Sequence, residues 1–237
     1  MTESLIIAES TNDEYYCQKP LNLYNSPDCQ ELATQAATGR HLKVLSTTQH
    51  NKNAVQIRLI EDDYLAWLPT VDLPKLDKTD SLYQPPMLSR AEIEPHIPQI
   101  LDFVQTAMQQ PNYYLWGGTI GPNYDCSGLM QAAFIASGIW LPRNSYQQEA
   151  FVKKLELEML LPGDLVFFGS ERVDHVALYL GEGRYCHSSG QETGRNGIGI
   201  DQLFGEGDEI SRYYWQKVWS CGRVMSSFIP HSSTSSP

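Results

Sequence analysis

The sequence has little of what a membrane, a nucleic acid or a disulfide framework requires. No apolar run approaches the ~20 residues that span a bilayer. The opening stretch, MTESLIIAES, has no basic start and only four consecutive apolar residues. A secretory signal combines a positive segment with ~7–15 apolar residues, so the expected location is the cytoplasm. Positive charge is scarce as well: 17 Lys and Arg stand against 28 Asp and Glu, a formal net charge of -11 over 237 residues. A surface of that sign repels phosphate, which argues against nucleic acid and against an anionic membrane face as partners. The five cysteines, Cys17, Cys29, Cys126, Cys186 and Cys221, are odd in number and form no CxxC pair. Neither a disulfide scaffold nor a zinc site is suggested, so each is expected to be a reduced and mostly buried thiol. A cysteine given chemistry must be argued out of that default.

With 41% hydrophobic and 19% charged residues, the chain reads as globular and long enough for one large domain or two smaller ones. Residues 1–76 read as β-structure, cut by turns at Asn25-Ser26-Pro27-Asp28, Thr38-Gly39 and His50-Asn51-Lys52-Asn53. Val55, Ile57 and Leu59 alternate with Gln56 and Arg58, the period of a half-buried strand, and Leu65–Pro69 forms another. So many short strands predict a small all-β barrel. Residues 77–96, with Pro85-Pro86 at their centre, read as a linker.

From residue 97 to 225 the pattern changes. Ile97, Ile100, Leu101, Val104 and Met108 fall at helical spacing, a second helix opens near Asp125-Cys126-Ser127 and ends at Gly138, and a third is expected over 147–155. Strands follow at 165–168, 176–180, 184–188 and 219–225. Helices first and sheet afterwards is the order of an α+β domain. Residues 226–237 are Ser-rich and are expected to be a disordered tail.

Cys126 sits where a glycine-rich loop becomes a helix. The unpaired N–H groups of a first turn favour a thiolate, so its pKa is expected to fall. The small Ser127 and Gly128 are expected to let a substrate backbone approach. His175 begins an apolar strand, and His187 lies on the next. If Gly181-Glu182-Gly183 closes a hairpin, both imidazoles meet near one end of the sheet, with His175 as proton acceptor and His187 orienting it. Cys186, beside His187, should face the other side of its strand as core.

Six blocks stand in order: Tyr114-Leu115-Trp116-Gly117-Gly118, Asp125-Cys126-Ser127-Gly128, Leu141-Pro142-Arg143-x-Ser145, Leu161–Phe168, His175–Gly181, and His187. Together they resemble the NlpC-type cell-wall cysteine peptidases, a circularly permuted papain-like fold. Ile57 to Leu73 resembles the last hairpin of bacterial Src-homology-3-like domains. The fold implied is α+β, a papain-like peptidase domain preceded by a small all-β barrel. The activity implied is hydrolysis of the amide between γ-linked D-glutamate and the diamino acid, commonly diaminopimelate, of peptidoglycan stem peptides.

On that resemblance Cys126 is the nucleophile, His175 the base and His187 the third residue. Tyr114 supports the oxyanion with the Cys126 N–H. Asp125, Ser127, Arg143 and Ser145 line the cleft, as substrate contacts or as helix capping and loop bracing. Tyr124 stands where the family usually has an apolar residue. No cofactor is implied, because a thiolate needs only water as second substrate, and His175, His187 and a cysteine fit no zinc spacing. Short peptides recycled from the wall are the expected partners. The turn Glu61-Asp62-Asp63-Tyr64 is the candidate contact for their free amine, with Tyr64 packing beside it and a solvated acidic turn as the alternative. An amidase or acyltransferase on the same scaffold, or a non-catalytic binder of wall fragments, are the competing readings.

Overall fold

The computed structural model describes residues 13–46 and 53–231. The turn expected at His50-Asn51-Lys52 lies outside the described residues, as do residues 1–12 and 232–237. Two compact units emerge, Met1–Pro85 with Ile229–Pro237, and Pro86–Phe228.

The first unit is one antiparallel sheet of seven strands: β1 (Glu14–Cys17), β2 (Leu21–Tyr24), β3 (Leu32–Ala36), β4 (His41–Ser46), β5 (Ala54–Leu59), β6 (Leu65–Pro69) and β7 (Leu76–Thr79). Their order is β3-β2-β6-β5-β4-β1-β7. Among the described residues no β3–β7 pairing closes the ring. The alternation of β5 buries Val55, Ile57 and Leu59 beside Cys17, Leu23, Leu42 and Leu68. The acidic turn before β6 departs from expectation. Glu61 and Asp62 are 2% and 5% exposed, and both grip the buried Arg40 guanidinium, at 3.0 and 2.8 Å. Two carboxylates committed to one internal cation are neither a solvated turn nor a lure for an amine.

The boundary between units falls at Pro85-Pro86, inside the expected linker, whose flanks are ordered. Leu76 opens β7, buried opposite Cys17. A short helix α1 (Arg90–Ile93) buries Ile93 in the second unit's core. Single apolar anchors in a proline-rich stretch leave no periodic trace, which is why composition alone reads as linker.

The second unit continues with α2 (Ile97–Gln109), α3 (Cys126–Ile135), α4 (Ser145–Phe151), β8 (Lys153–Leu155), β9 (Leu165–Gly169), β10 (Val173–Gly181), β11 (Arg184–Ser189), β12 (Gly197–Gln202), α5 (Glu209–Trp215) and β13 (Val218–Arg223). The strands form an antiparallel sheet ordered β12-β11-β10-β9-β13-β8. On one face, Ile100 and Val104 of α2 and Leu129, Met130 and Phe134 of α3 pack on Leu165, Phe167, Val176 and Leu178. Cys186 lies in this cluster, as expected. On the other face, Val166, Phe168, Ala177 and Tyr185 pack against Tyr214 of α5. Beyond the expected strands the sheet gains β12, beside which α5 packs, and β8, which takes the end of the helix expected over 147–155; that helix is α4 and stops at Phe151. The first residues of the expected tail are ordered: Ser227 donates its N–H to the Leu88 carbonyl at 3.1 Å and Phe228 to that of Trp140 at 2.9 Å.

Candidate active site

Three elements converge on Cys126. It is the first residue of α3, whose N-cap is Asp125; the Asp125 side chain accepts from the Gly128 N–H at 2.6 Å. The other Asp125 oxygen accepts from the Gly117 N–H at 2.9 Å, so one carboxylate ties the glycine loop to the helix. A Cβ added at Gly128 would stand 2.0 Å from the Gly118 carbonyl oxygen. The small residue is therefore needed for internal contact between loop and helix, rather than for access by substrate.

Cys126 Sγ is 4.0 Å from the Asp174 carbonyl oxygen, and the Val176 N–H also bonds to it. The sulfur thus rests against the backbone on either side of His175. Burial, seconded by the Asp125 carboxylate, pushes the thiol up to about 12, against the opposing pull of the Ser127 and Val176 N–H groups and Arg143. The expected fall in pKa from the helix terminus does not prevail, because the thiol is buried. His175 is held well below its ordinary value by burial and by the neighbouring His187. The resting pair is accordingly a neutral thiol and a neutral imidazole.

The hairpin expected at Gly181-Glu182-Gly183 exists, with all three residues at positive φ. Its register sets Leu178 opposite Cys186, which brings His187 to a diagonal step from His175 on the same face. His175 Nε2 lies 2.7 Å from His187 Nδ1. The remaining ring nitrogen of His175, Nδ1, is the one left for the thiol proton.

Tyr114 stands beside the thiol. Burial, with Cys126 and Asp125 nearby, pushes its hydroxyl up, so it stays protonated and able to donate. Its loop is fixed by the Leu115 N–H donating to the Tyr124 carbonyl at 3.3 Å and the Asp125 N–H to that of Gly118 at 3.0 Å. Tyr124 is core, edge-on to Phe103.

Arg143, 2% exposed, donates to Asp125 Oδ2 at 2.5 Å, to Asp125 Oδ1 at 3.2 Å and to Ser127 Oγ at 2.9 Å. Asp125, Ser127 and Arg143 are committed to one another, so the bracing reading is the one their geometry supports. Ser145 is buried as the first residue of α4, which a capping box between Asn144 and Gln147 starts. Tyr64 belongs to the first unit, partly buried against that unit's own core.

Sequence reasoning missed two elements that complete the surroundings of the histidines. Asp201 on β12 lies 2.8 Å from His187 Nε2. Tyr214 on α5 packs on both imidazoles, with ring centroids 4.7 Å from His175 and 4.8 Å from His187.

The profile of the NlpC/P60 family matches residues 111–224, which contain Cys126, His175 and His187. Residues 111–224 are an NlpC/P60 domain. The first unit matches the bacterial dipeptidyl-peptidase Sh3 domain over residues 23–73. The chain is 37% identical over 134 residues to the bifunctional muramidase/DL-endopeptidase CwlT of Bacillus subtilis, covering 52% of this chain and 37% of that protein. It is 40% identical over 87 residues to the γ-D-glutamyl-L-lysine dipeptidyl-peptidase of the same organism, covering 35% of this chain and 29% of the other. The chain thus matches about a third of the length of these relatives. A crystal structure of an NlpC/P60 family protein from Bacillus cereus aligns over 91% of this chain and 64% of its own, at 22% identity and a TM-score of 0.47. The NlpC/P60 domain carries the papain-like part of the fold, and the all-β unit precedes it.

Proposed function

We propose that the NlpC/P60 domain hydrolyses the amide between γ-D-glutamate and the diamino acid of peptidoglycan-derived peptides, with Cys126 as nucleophile. The observation that carries this reading is the seating of Cys126 Sγ against the backbone flanking His175, whose far nitrogen is already engaged by His187. A base oriented from behind, next to a helix-terminal thiol, is the arrangement acyl transfer requires. The choice of bond rests on likeness to the γ-D-glutamyl-L-lysine dipeptidyl-peptidase.

In the first half-reaction His175 Nδ1 takes the thiol proton as sulfur attacks the γ-carbonyl carbon. Because burial disfavours charge on either partner, proton transfer accompanies attack instead of preceding it. The negative charge moves to the carbonyl oxygen, where the Cys126 N–H and the Tyr114 hydroxyl donate to it. The C–N bond then breaks, the imidazolium returns its proton to the leaving amine, and a thioester remains on Cys126. Water attacks that thioester as His175 takes its proton. The acid product leaves, and the proton passes back to the sulfur.

The test is to incubate the protein with L-Ala-γ-D-Glu-diaminopimelate and its L-lysine counterpart, identify the products by mass, and run Cys126→Ala alongside. Release of L-Ala-D-Glu and the free diamino acid by the native protein alone supports the proposal. Release of an intact stem from a sugar-linked substrate, with the tripeptide untouched, would instead make the protein an amidase.

A further inference from the structure

Asp201 is 1% exposed, and every polar contact it makes comes from a donor. Its Oδ2 faces His187 Nε2 at 2.8 Å and the Arg195 Nε–H at 3.2 Å. Its Oδ1 accepts from the Ser211 hydroxyl at 2.8 Å and from Arg195 Nη2 at 2.5 Å. Arg195 is in turn held by Asp208, the N-cap of α5, at 2.7 Å. An ionised carboxylate only accepts, so His187 Nε2 carries the proton. The neutral ring is then bare at Nδ1, which accepts from His175 Nε2–H across 2.7 Å. That leaves the lone pair of His175 on Nδ1, the nitrogen that His187 does not engage.

We infer that Asp201 is a positioning residue for catalysis, which by accepting from His187 sets the tautomer of both imidazoles and keeps the basic lone pair of His175 on the Cys126 side. This rests on the reading of Cys126 and His175 as nucleophile and base. When His175 becomes an imidazolium during turnover, the chain His175–His187–Asp201 also gives the new positive charge a polarised path toward a fixed negative one.

The setting keeps that anchor in its working state. Burial works against charge on Asp201, yet the bonds from His187, Arg195 and Ser211 outweigh it and hold the carboxyl far below the usual range. The titratable and charged groups around the relay are His187 and Tyr185 from β11, Arg195 from the loop before β12, Asp208 at the N-cap of α5, and Tyr214 from α5, with Cys126 of α3 near Tyr214. Burial holds Tyr185 and Tyr214 protonated, and Arg195 stays charged, so near neutral pH none of the three disturbs the tautomers.

The experiment uses the full chain labelled with nitrogen-15, native and as Asp201→Asn. Three quantities are read: the ring nitrogen shifts of His175 and His187, the rate at which iodoacetamide alkylates Cys126, and kcat and KM on the tripeptide. The native protein is expected to show His175 protonated at Nε2 and bare at Nδ1. Asp201→Asn is expected to lower kcat by about 10²- to 10⁴-fold, with KM changed by no more than about threefold. Alkylation should slow in parallel, and the native ring pattern should be lost. A native His175 with its proton on Nδ1 would overturn the inference, and so would a folded Asp201→Asn whose alkylation and kcat match the native values. The tautomer measurement needs no variant, so it decides the matter even if Asp201→Asn does not fold. Alkylation and ring shifts need no substrate. A failure of the peptidase reading would therefore show as intact tripeptide with these two readouts as expected, whereas a failure of the Asp201 reading leaves cleavage in place.

Discussion

Replacing Arg143 with methionine keeps most of its volume and removes the charge that faces Asp125. Arg143 is 2% exposed and Asp125 6%, so neither group recovers hydration while the unit stays folded. Breaking a buried pair from one side costs about 3–5 kcal/mol, because the other charge is left uncompensated. Asp125 would retain donors from Gly117, Gly128 and Ser127, which places the expected loss near the lower end, about 3 kcal/mol. For a unit the size of Pro86–Phe228 that is a fall in Tm of about 6–12 °C. Two units in one chain weaken any single-transition analysis, so hydrogen exchange at the Gly117 and Gly128 amides is the sharper assay. Both amides donate to Asp125, and both should lose protection more than amides of the β9–β10 pairing. Adding Asp125→Asn to Arg143→Met should recover at least about 1 kcal/mol relative to the sum of the single changes. If Arg143→Met costs less than about 1 kcal/mol and leaves both amides protected, the bracing account is wrong and Arg143 is available to substrate.

Other consequences follow from the same geometry. Gly128→Ala should cost at least about 3 kcal/mol or prevent folding of the second unit, since its Cβ would meet a backbone oxygen at 2.0 Å; a native-like denaturation midpoint would contradict this. Tyr114→Phe should lower kcat/KM on the tripeptide by about 10²- to 10³-fold with little change in stability, and an unchanged value would remove Tyr114 from the oxyanion site. Acid should destabilise the fold early. Burial keeps the folded pKa values of His175 and His187 below the ordinary 6.5, so as pH falls through that value the unfolded chain takes up protons that the folded chain refuses. Each histidine should then cost about 1 kcal/mol per pH unit, and urea midpoints that stay level between pH 7 and 5 would refute the neutral assignment.

The placement of Cys126 at a helix start and of His175 and His187 on neighbouring strands was legible because each sits in a short local pattern, and the hairpin register between the histidines follows from three turn residues. Asp201 was not. Its strand begins Gly197-Ile198-Gly199-Ile200, and glycine is a poor strand former. The structure shows why glycine is required: a Cβ at Gly197 would meet Asn112 Oδ1 at 2.4 Å, and one at Gly199 the Arg195 side chain at 2.6 Å. Close approach of other parts of the unit therefore erased the strand signal. The available cue was Ile198 and Ile200 at alternate positions, ending on an acid. The acidic turn at Glu61 and Asp62 misled for a related reason, since the cation that buries it, Arg40, lies about twenty residues earlier in the chain. The expected acidity of Cys126 failed on burial, which a helix start read from sequence does not reveal.

The central claim, that Cys126 attacks the γ-glutamyl carbonyl with His175 as its base, is tested most directly by trapping the thioester. The native protein and His175→Gln are mixed with L-Ala-γ-D-Glu-diaminopimelate, quenched in acid within the first turnover, and digested for peptide masses. The account predicts an added L-Ala-D-Glu acyl group on the peptide containing Cys126 in the native protein and none in His175→Gln. Tripeptide cleaved at full rate with Cys126 never acylated, or by Cys126→Ala, would contradict it.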